Sequence, residues 1–418
     1  MMFVTLLKLM NSNIKNILFF LLFFSFQATN AQSNVETKII KQQILSSGFK
    51  PSAEIYRNPD EKLAKLGLIF FESNKGLSLN GNISCRTCHQ DKFGSADGIP
   101  NAAAIGGGDG KTMVGPERLL NGAKQLPRNT LAFWGRGGLG FDVFFWDGRV
   151  DFSSKKTVSQ FGSQKPSSDA LLTSVHLPVV EIREMLDEDG FVRDNKTESV
   201  EKSKIVYDAI AKRLVKIEPK ASEDLARALN KNINQLEYID FARAIAAFIR
   251  SEFRIKPTKL ENFMAGKVQL SESELRGARI FYGKGACSTC HNGPHFSDFK
   301  FYTVPFPQLG FGKNGFGVDY GRYNVTFNPR DLYKFRTAPL YNVEKTAPYG
   351  HSGSVKTIQQ AIVAHYDPLS LIATDKLSKF DRYELSKRLT YADSTTRVNY
   401  LTDEELNQLE AFLKTLTF

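Results

Sequence analysis

Every cysteine of the sequence lies in a C-x-x-C-H pentapeptide. The two copies are Cys85-Arg86-Thr87-Cys88-His89 and Cys287-Ser288-Thr289-Cys290-His291. This is the attachment pattern of a c-type haem. The two thiols form thioethers to the porphyrin vinyl groups, and the adjacent imidazole is placed to ligate the iron from its proximal side. Zinc sites built from paired C-x-x-C elements usually hold them about 15–20 residues apart; here the pairs are about two hundred residues apart. Exported chains commonly use cysteines for disulfides, but the histidine after each pair points instead to two covalently bound haem c groups.

The elements that must position these motifs are mainly helical. Ser271-x-x-Glu274 and Thr402-x-x-Glu405 are capping boxes. The first opens a helix through Leu275, Ala278, Arg279 and Tyr282 that delivers the second haem motif. The other opens a final helix with Leu406, Leu409, Leu413 and Leu416 on one face. Residues 236–254 are apolar at helical period and end before Pro257, and a similar helix, Glu61 to Glu72, precedes the first motif. The chain thus reads as two units of one plan: helix, C-x-x-C-H, long loop, further helices. Residues 1–31 read as a cleavable signal peptide: Lys8 and Lys15, the apolar run 17–24, then Thr29-Asn30-Ala31. That run is too short to span a bilayer, which needs about 20 residues, so no membrane span is expected after its removal. The expected division is 1–31 signal peptide, 32–255 N-terminal haem domain and 256–418 C-terminal haem domain. Gly135-x-Gly137-x-x-Gly140 matches a dinucleotide fingerprint but lacks the flanking strand and helix, and reads as a loop near a haem. The net charge of +11 fits an acidic electron-transfer partner better than nucleic acid in an exported protein.

Several further segments carry a family resemblance. They are Pro127-Arg128-Asn129, Phe145-Trp146-Asp147-Gly148-Arg149, Phe335-Arg336-Thr337-Ala338-Pro339-Leu340, Thr346-Ala347-Pro348-Tyr349-Gly350-His351-Ser352-Gly353 and Asp367-Pro368. From about Pro59 to Thr415 the chain resembles the bacterial di-haem cytochrome c peroxidases, specifically their MauG-like branch. The resemblance implies two cytochrome-c-like domains, mainly α with long loops, and a periplasmic enzyme reducing hydrogen peroxide. It also implies a tryptophan between the haems, here Trp146, and one calcium ion. Asn129 would supply its side chain to that ion, and Thr346 and Pro348 their carbonyl oxygens.

A haem with an open axial position can be a catalyst, and one with both filled is a carrier. In the family the sixth ligand of the C-terminal haem lies fourteen residues after the histidine of the A-P-Y-x-H element, which is His365 here; Tyr366 is the fallback. His351 is expected to contact a haem propionate. The N-terminal haem reads as open. The loop that carries a distal histidine in many members is Ile105-Gly106-Gly107-Gly108-Asp109 here, and no histidine occurs between His89 and His176. Met113 is the alternative ligand. The family's catalytic glutamate follows a Pro-Val pair, within Leu177-Pro178-Val179-Val180-Glu181-Ile182-Arg183-Glu184-Met185. Both Glu181 and Glu184 are candidates for the general acid–base, with Glu184 preferred and only one expected to face the iron. His176 either lines the same pocket or lies on the surface.

The leading expectation is a peroxidase whose electrons come from a small cytochrome c or cupredoxin, with a homodimer as a candidate assembly. The alternatives are a MauG-like oxidase that modifies a protein or small substrate, and a carrier or haem sensor without turnover.

Overall fold

The computed structural model of the 418-residue chain describes residues 35–79, 82–108, 110–153, 158–159, 165–187, 200–308, 310–393 and 399–418. The expected signal peptide, 1–31, and Asp109 lie outside the described residues. The segment up to Gly48 is a unit of its own containing a helix, α1, over residues 35–46, and Phe49–Phe418 form a second compact unit.

Two helix pairs organise this second unit. The first joins α2 (Glu61–Glu72) to α5 (Tyr238–Glu252), with α3 (Val200–Ile217) and α4 (Pro219–Ala228) between them in the chain. Asp60 caps α2 by accepting from the Lys62 and Leu63 amides. Most of α5 is apolar around its whole circumference, which buries it. The second joins α6 (Glu272–Tyr282) to the final helix, α9 (Asp403–Lys414). Between these lie α7 (Ile358–Val363) and α8 (Lys379–Thr390). Both expected capping boxes form, at Ser271/Glu274 and Thr402/Glu405. Leu406, Leu409 and Leu413 are buried from α9, and Leu416 is buried just beyond it.

The two pairs make the same contact. A Cβ on Gly67 of α2 would stand 1.9 Å from the Ala244 carbonyl oxygen and 2.8 Å from the Phe248 Cβ. A Cβ on Gly277 of α6 would stand 1.9 Å from the Gln408 carbonyl oxygen and 2.8 Å from the Phe412 Cβ. Only glycine allows backbones this close. One turn further on, Phe71 packs on Phe248 (ring centroids 4.9 Å) and Phe281 on Phe412 (5.2 Å). The same glycine, the same spacing and the same aromatic lock recur in both helix pairs.

Strands are few. β1 (Val143–Phe144), β2 (Val150–Asp151) and β3 (Val158–Ser159) form an antiparallel sheet in that order. β4 (Phe301–Tyr302) pairs with β7 (Phe335–Arg336), and β5 (Phe311–Gly312) with β6 (Gly315–Phe316) in a hairpin. No helix among the described residues is long and apolar enough to cross a membrane.

Candidate functional site

The first haem motif sits on a helical turn, Cys85–Cys88, closed by a reciprocal cap between Ser84 and Thr87. The His89 amide donates to the Cys85 carbonyl at 3.0 Å. Its ring stacks on Phe133, 3.7 Å away, and Nδ1 bonds the Ser95 carbonyl at 2.9 Å. A carbonyl only accepts, so the proton is on Nδ1 and the Nε2 lone pair is left for a metal. Burial pulls the His89 pKa down to about 3, keeping the imidazole neutral.

Cys85, Cys88 and His89 line a cavity of about 770 Å³ together with Glu181 and Glu184. After a single 3-10 turn, Pro178–Val180, the glutamate segment is a set of tight turns, with Arg183 at φ 73° and its amide bonded to the Leu186 carbonyl. Both glutamates line this cavity. Their surroundings separate them. Glu181 accepts from Arg149 Nη1 at 2.7 Å. Arg149 is also held by the buried Asp147, which in turn accepts from Arg128 Nη1 at 2.6 Å. Arg128 forks onto Asp319 at 2.7 and 2.8 Å. Glu184 has no ion-pair partner among the described residues. Burial, then the charge of Glu181, push its carboxyl up to about 7, against the pull of Arg149 and Lys313. Lys313 reaches this cavity from the β5–β6 hairpin.

Two expectations here are corrected. His176 neither lines the cavity nor lies on the surface. It is buried between Tyr207 and Tyr238, with Nδ1 on the Leu172 carbonyl. Met113 is not among the cavity's lining residues, whereas Met185 is.

The second motif repeats the arrangement. Cys287–Thr289 form a 3-10 turn, the His291 amide donates to the Cys287 carbonyl at 2.9 Å, and Nδ1 bonds the Phe296 carbonyl at 3.1 Å. A second cavity of about 270 Å³ is lined by Cys287, Cys290, His291 and His365. His365 follows α7, and its Nδ1 donates to the Ala361 carbonyl at 2.8 Å, which leaves Nε2 free to coordinate. Tyr366 does not line this cavity; its ring lies against Tyr400. His351 does line it, stacked on Phe335 at 3.8 Å with Nε2 donating to Gln308 Oε1 at 2.7 Å.

Trp146 and Asn129 line both cavities. The Trp146 indole donates to the Asn129 carbonyl at 2.9 Å. The Asn129 side-chain nitrogen lies 2.6 Å from the Pro348 carbonyl, and its Oδ1 is buried with no partner among the described residues. Thr346 and Pro348 stand beside it in the second cavity. An orphaned amide oxygen among carbonyls is a donor set that suits a hard cation. Three buried residues were given no role from the sequence. Arg136 lines both cavities and Arg336 lines the second; both are buried. His295, four residues after His291, is buried with Nε2 on the Leu139 carbonyl. The spacing of His295 from the haem motif was visible in the sequence; its partner was not.

Two cavities, each with paired thiols and a neutral imidazole whose tautomer is fixed, fit covalent haem, and with the mainly helical frame they define a double c-type cytochrome. The family model described as Di-haem cytochrome c peroxidase matches residues 61–269. The chain belongs to that family. It is 30% identical over 203 residues to Cytochrome-c peroxidase IdrP1 of Pseudomonas sp. (strain SCT), covering 38% of this chain and 53% of that relative. The aligned stretch thus spans about half of that relative's length. It is 25% identical over 337 residues to Cytochrome c551 peroxidase of Nitrosomonas europaea, covering 80% of each chain. The crystal structure of a MauG-like protein associated with microbial copper homeostasis shares the fold, with a TM-score of 0.61 at 22% identity over 87% of this chain and 94% of that one.

Proposed function

We propose that the protein is a periplasmic peroxidase that reduces hydrogen peroxide in the cavity of Cys85, Cys88 and His89. The observation that carries this is Glu184, a carboxyl without an ion-pair partner among the described residues, held near neutrality in that cavity. Peroxide takes up two electrons and two protons to give two waters. A base must remove the proton from one oxygen and deliver it to the other as the O–O bond breaks. Glu184 is suited to both halves, because a pKa near the working pH serves acceptance and return equally well. Glu181 is tied to Arg149 and acts by holding that cation beside Glu184. Haem bound in each cavity would supply redox-active iron; His89 would hold it in the larger cavity, and His291 and His365 in the smaller.

Trp146, common to both cavities, is the residue placed to pass electrons between them. The donor is a small cytochrome c or cupredoxin meeting the chain on the side of the second cavity. His351 holds the porphyrin edge in that cavity. Asn129, with the carbonyls of Thr346 and Pro348, binds calcium. Residues 1–31 direct export, and the two haem domains meet near residue 256, a division that the repeated glycine–aromatic helix contact supports. A MauG-like oxidase is the second reading, favoured by one observation. The smaller cavity is lined by His365 and by no methionine, and ligation without methionine gives a lower potential.

The test is steady-state consumption of peroxide by the mature holoprotein with reduced cytochrome c or cupredoxin. Donor oxidation at two equivalents per peroxide is expected. Donor oxidation that does not depend on peroxide, or none at all, would contradict the proposal.

A further inference from the structure

Arg136 and Arg336 are buried guanidinium groups without a carboxylate. Arg136 is 6% exposed, and the only hydrogen bond of its side chain among the described residues runs from Nε to the Ala132 carbonyl at 2.9 Å. Arg336 is 2% exposed and bonds only the Phe145 and Thr337 carbonyls through its side chain. Neither takes part in an ion pair among the described residues. The half-buried Arg128 pairs with Asp147 and Asp319, and Arg149 with Asp147 and Glu181; the buried Arg118 also lacks a carboxylate, but its two terminal nitrogens are taken up by the Thr87, Ala103 and Ala104 carbonyls. Aromatic faces pack on Arg136 and Arg336. Arg136 lies over Phe133 and Phe144, and Arg336 over Phe141 and Phe299. The Phe141 and Phe144 ring centroids are 5.1 Å apart, so each cation packs on one member of a single aromatic pair.

Burying a charge without a partner is expensive, and proteins normally pair it. Burial lowers the Arg136 pKa to about 9, with the nearby charge of Arg336 adding to the effect, and lowers that of Arg336 to about 10. Both residues face the cavities in which the thiols and imidazoles are gathered. Each haem brings two carboxylates. We propose that Arg136 and Arg336 hold porphyrin propionates, and that Arg136, which lines both cavities, is the shared cation through which the charge on one haem is felt by the other. Arg336 serves the second cavity alone. This rests on the reading of one haem per cavity, which intact mass reports independently of any potential.

The test is a spectroelectrochemical titration of both haems in Arg136→Gln, Arg136→Lys and Arg336→Gln, each first shown by mass to carry two haems. A cation beside a haem favours the reduced, less positive state. Arg136→Gln is therefore expected to lower both potentials, Arg336→Gln that of the second haem only, and Arg136→Lys to leave both near wild type. Wild-type potentials in both glutamine variants would overturn the proposal. Should the neutral variants fail to accumulate, the propionate bending bands in the resonance Raman spectrum of the wild type decide. Ion-paired propionates give bands that stay fixed across the ordinary carboxylate pH range, and bands that titrate as free carboxylates would overturn the assignment. A protein with fewer than two haems would overturn the underlying reading instead.

Discussion

Glu181 and Glu184 are three residues apart in one turn-rich segment and line one cavity, yet their charges are handled in opposite ways. Arg149 is hydrogen-bonded to Glu181, whereas burial and the Glu181 charge hold Glu184 up to about 7. As the base of the first proton transfer Glu184 must be deprotonated, so kcat/KM for peroxide is expected to rise with pH through about 7. Arg149 and Lys313 favour the charged form. Removing either, as Arg149→Gln or Lys313→Met, should move that limb to higher pH, and Glu184→Gln should erase it. A limb that stays in place in both variants would show that these cations do not act on Glu184. The sequence made the two candidates legible through the Pro-Val pair and the Glu-Met pair. It did not reveal what separates them, because Arg149 lies thirty-two positions from Glu181 and Lys313 arrives on a distant hairpin. His176 was misjudged for the same reason: its place between Tyr207 and Tyr238 depends on partners 31 and more residues away.

Among the elements, the helices were the most readable part. Asp60, Ser271 and Thr402 announce their helices locally, and α2 falls at Glu61–Glu72 as its period predicts. The repeat of the two helix pairs was legible as a plan but not as a contact. Neither Gly67 nor Gly277 signals from sequence that a carbonyl of another helix lies against it. That contact makes a prediction at this scale. In Gly277→Ala the new methyl would lie 1.9 Å from the Gln408 carbonyl oxygen, which belongs to another helix's backbone and not to a flexible side chain. Overpacking of this kind usually costs about 1–3 kcal/mol, so thermal unfolding of the holoprotein should shift down by several degrees, and Gly67→Ala should behave alike. Unchanged midpoints in both would mean that the helix pairs do not need the close approach.

In the molecule as a whole, two haem motifs, two cavities and one shared tryptophan give each cavity a different task. The smaller is lined by the imidazoles of His291 and His365, each with Nδ1 bonded to a carbonyl. The larger presents His89 and, apart from it, no imidazole. The resting ferric protein is therefore expected to show one low-spin and one high-spin haem by EPR, with His365→Ala converting the low-spin signal alone. Two low-spin signals at rest would point to Met185 as a ligand in the larger cavity. An unchanged low-spin signal in the variant would remove His365 from the iron.

On the proposed function, the larger cavity reduces peroxide with Glu184 moving the proton. Its most direct test is a single-turnover, stopped-flow reaction of the fully reduced protein with peroxide, comparing wild type, Glu184→Gln and Glu181→Gln. General acid–base assistance contributes about 10²–10⁴-fold. Glu184→Gln should slow the reaction by about that factor while the spectra of both haems stay as in the wild type, and Glu181→Gln should be slowed far less. A Glu184→Gln protein that reacts at the wild-type rate would contradict the account.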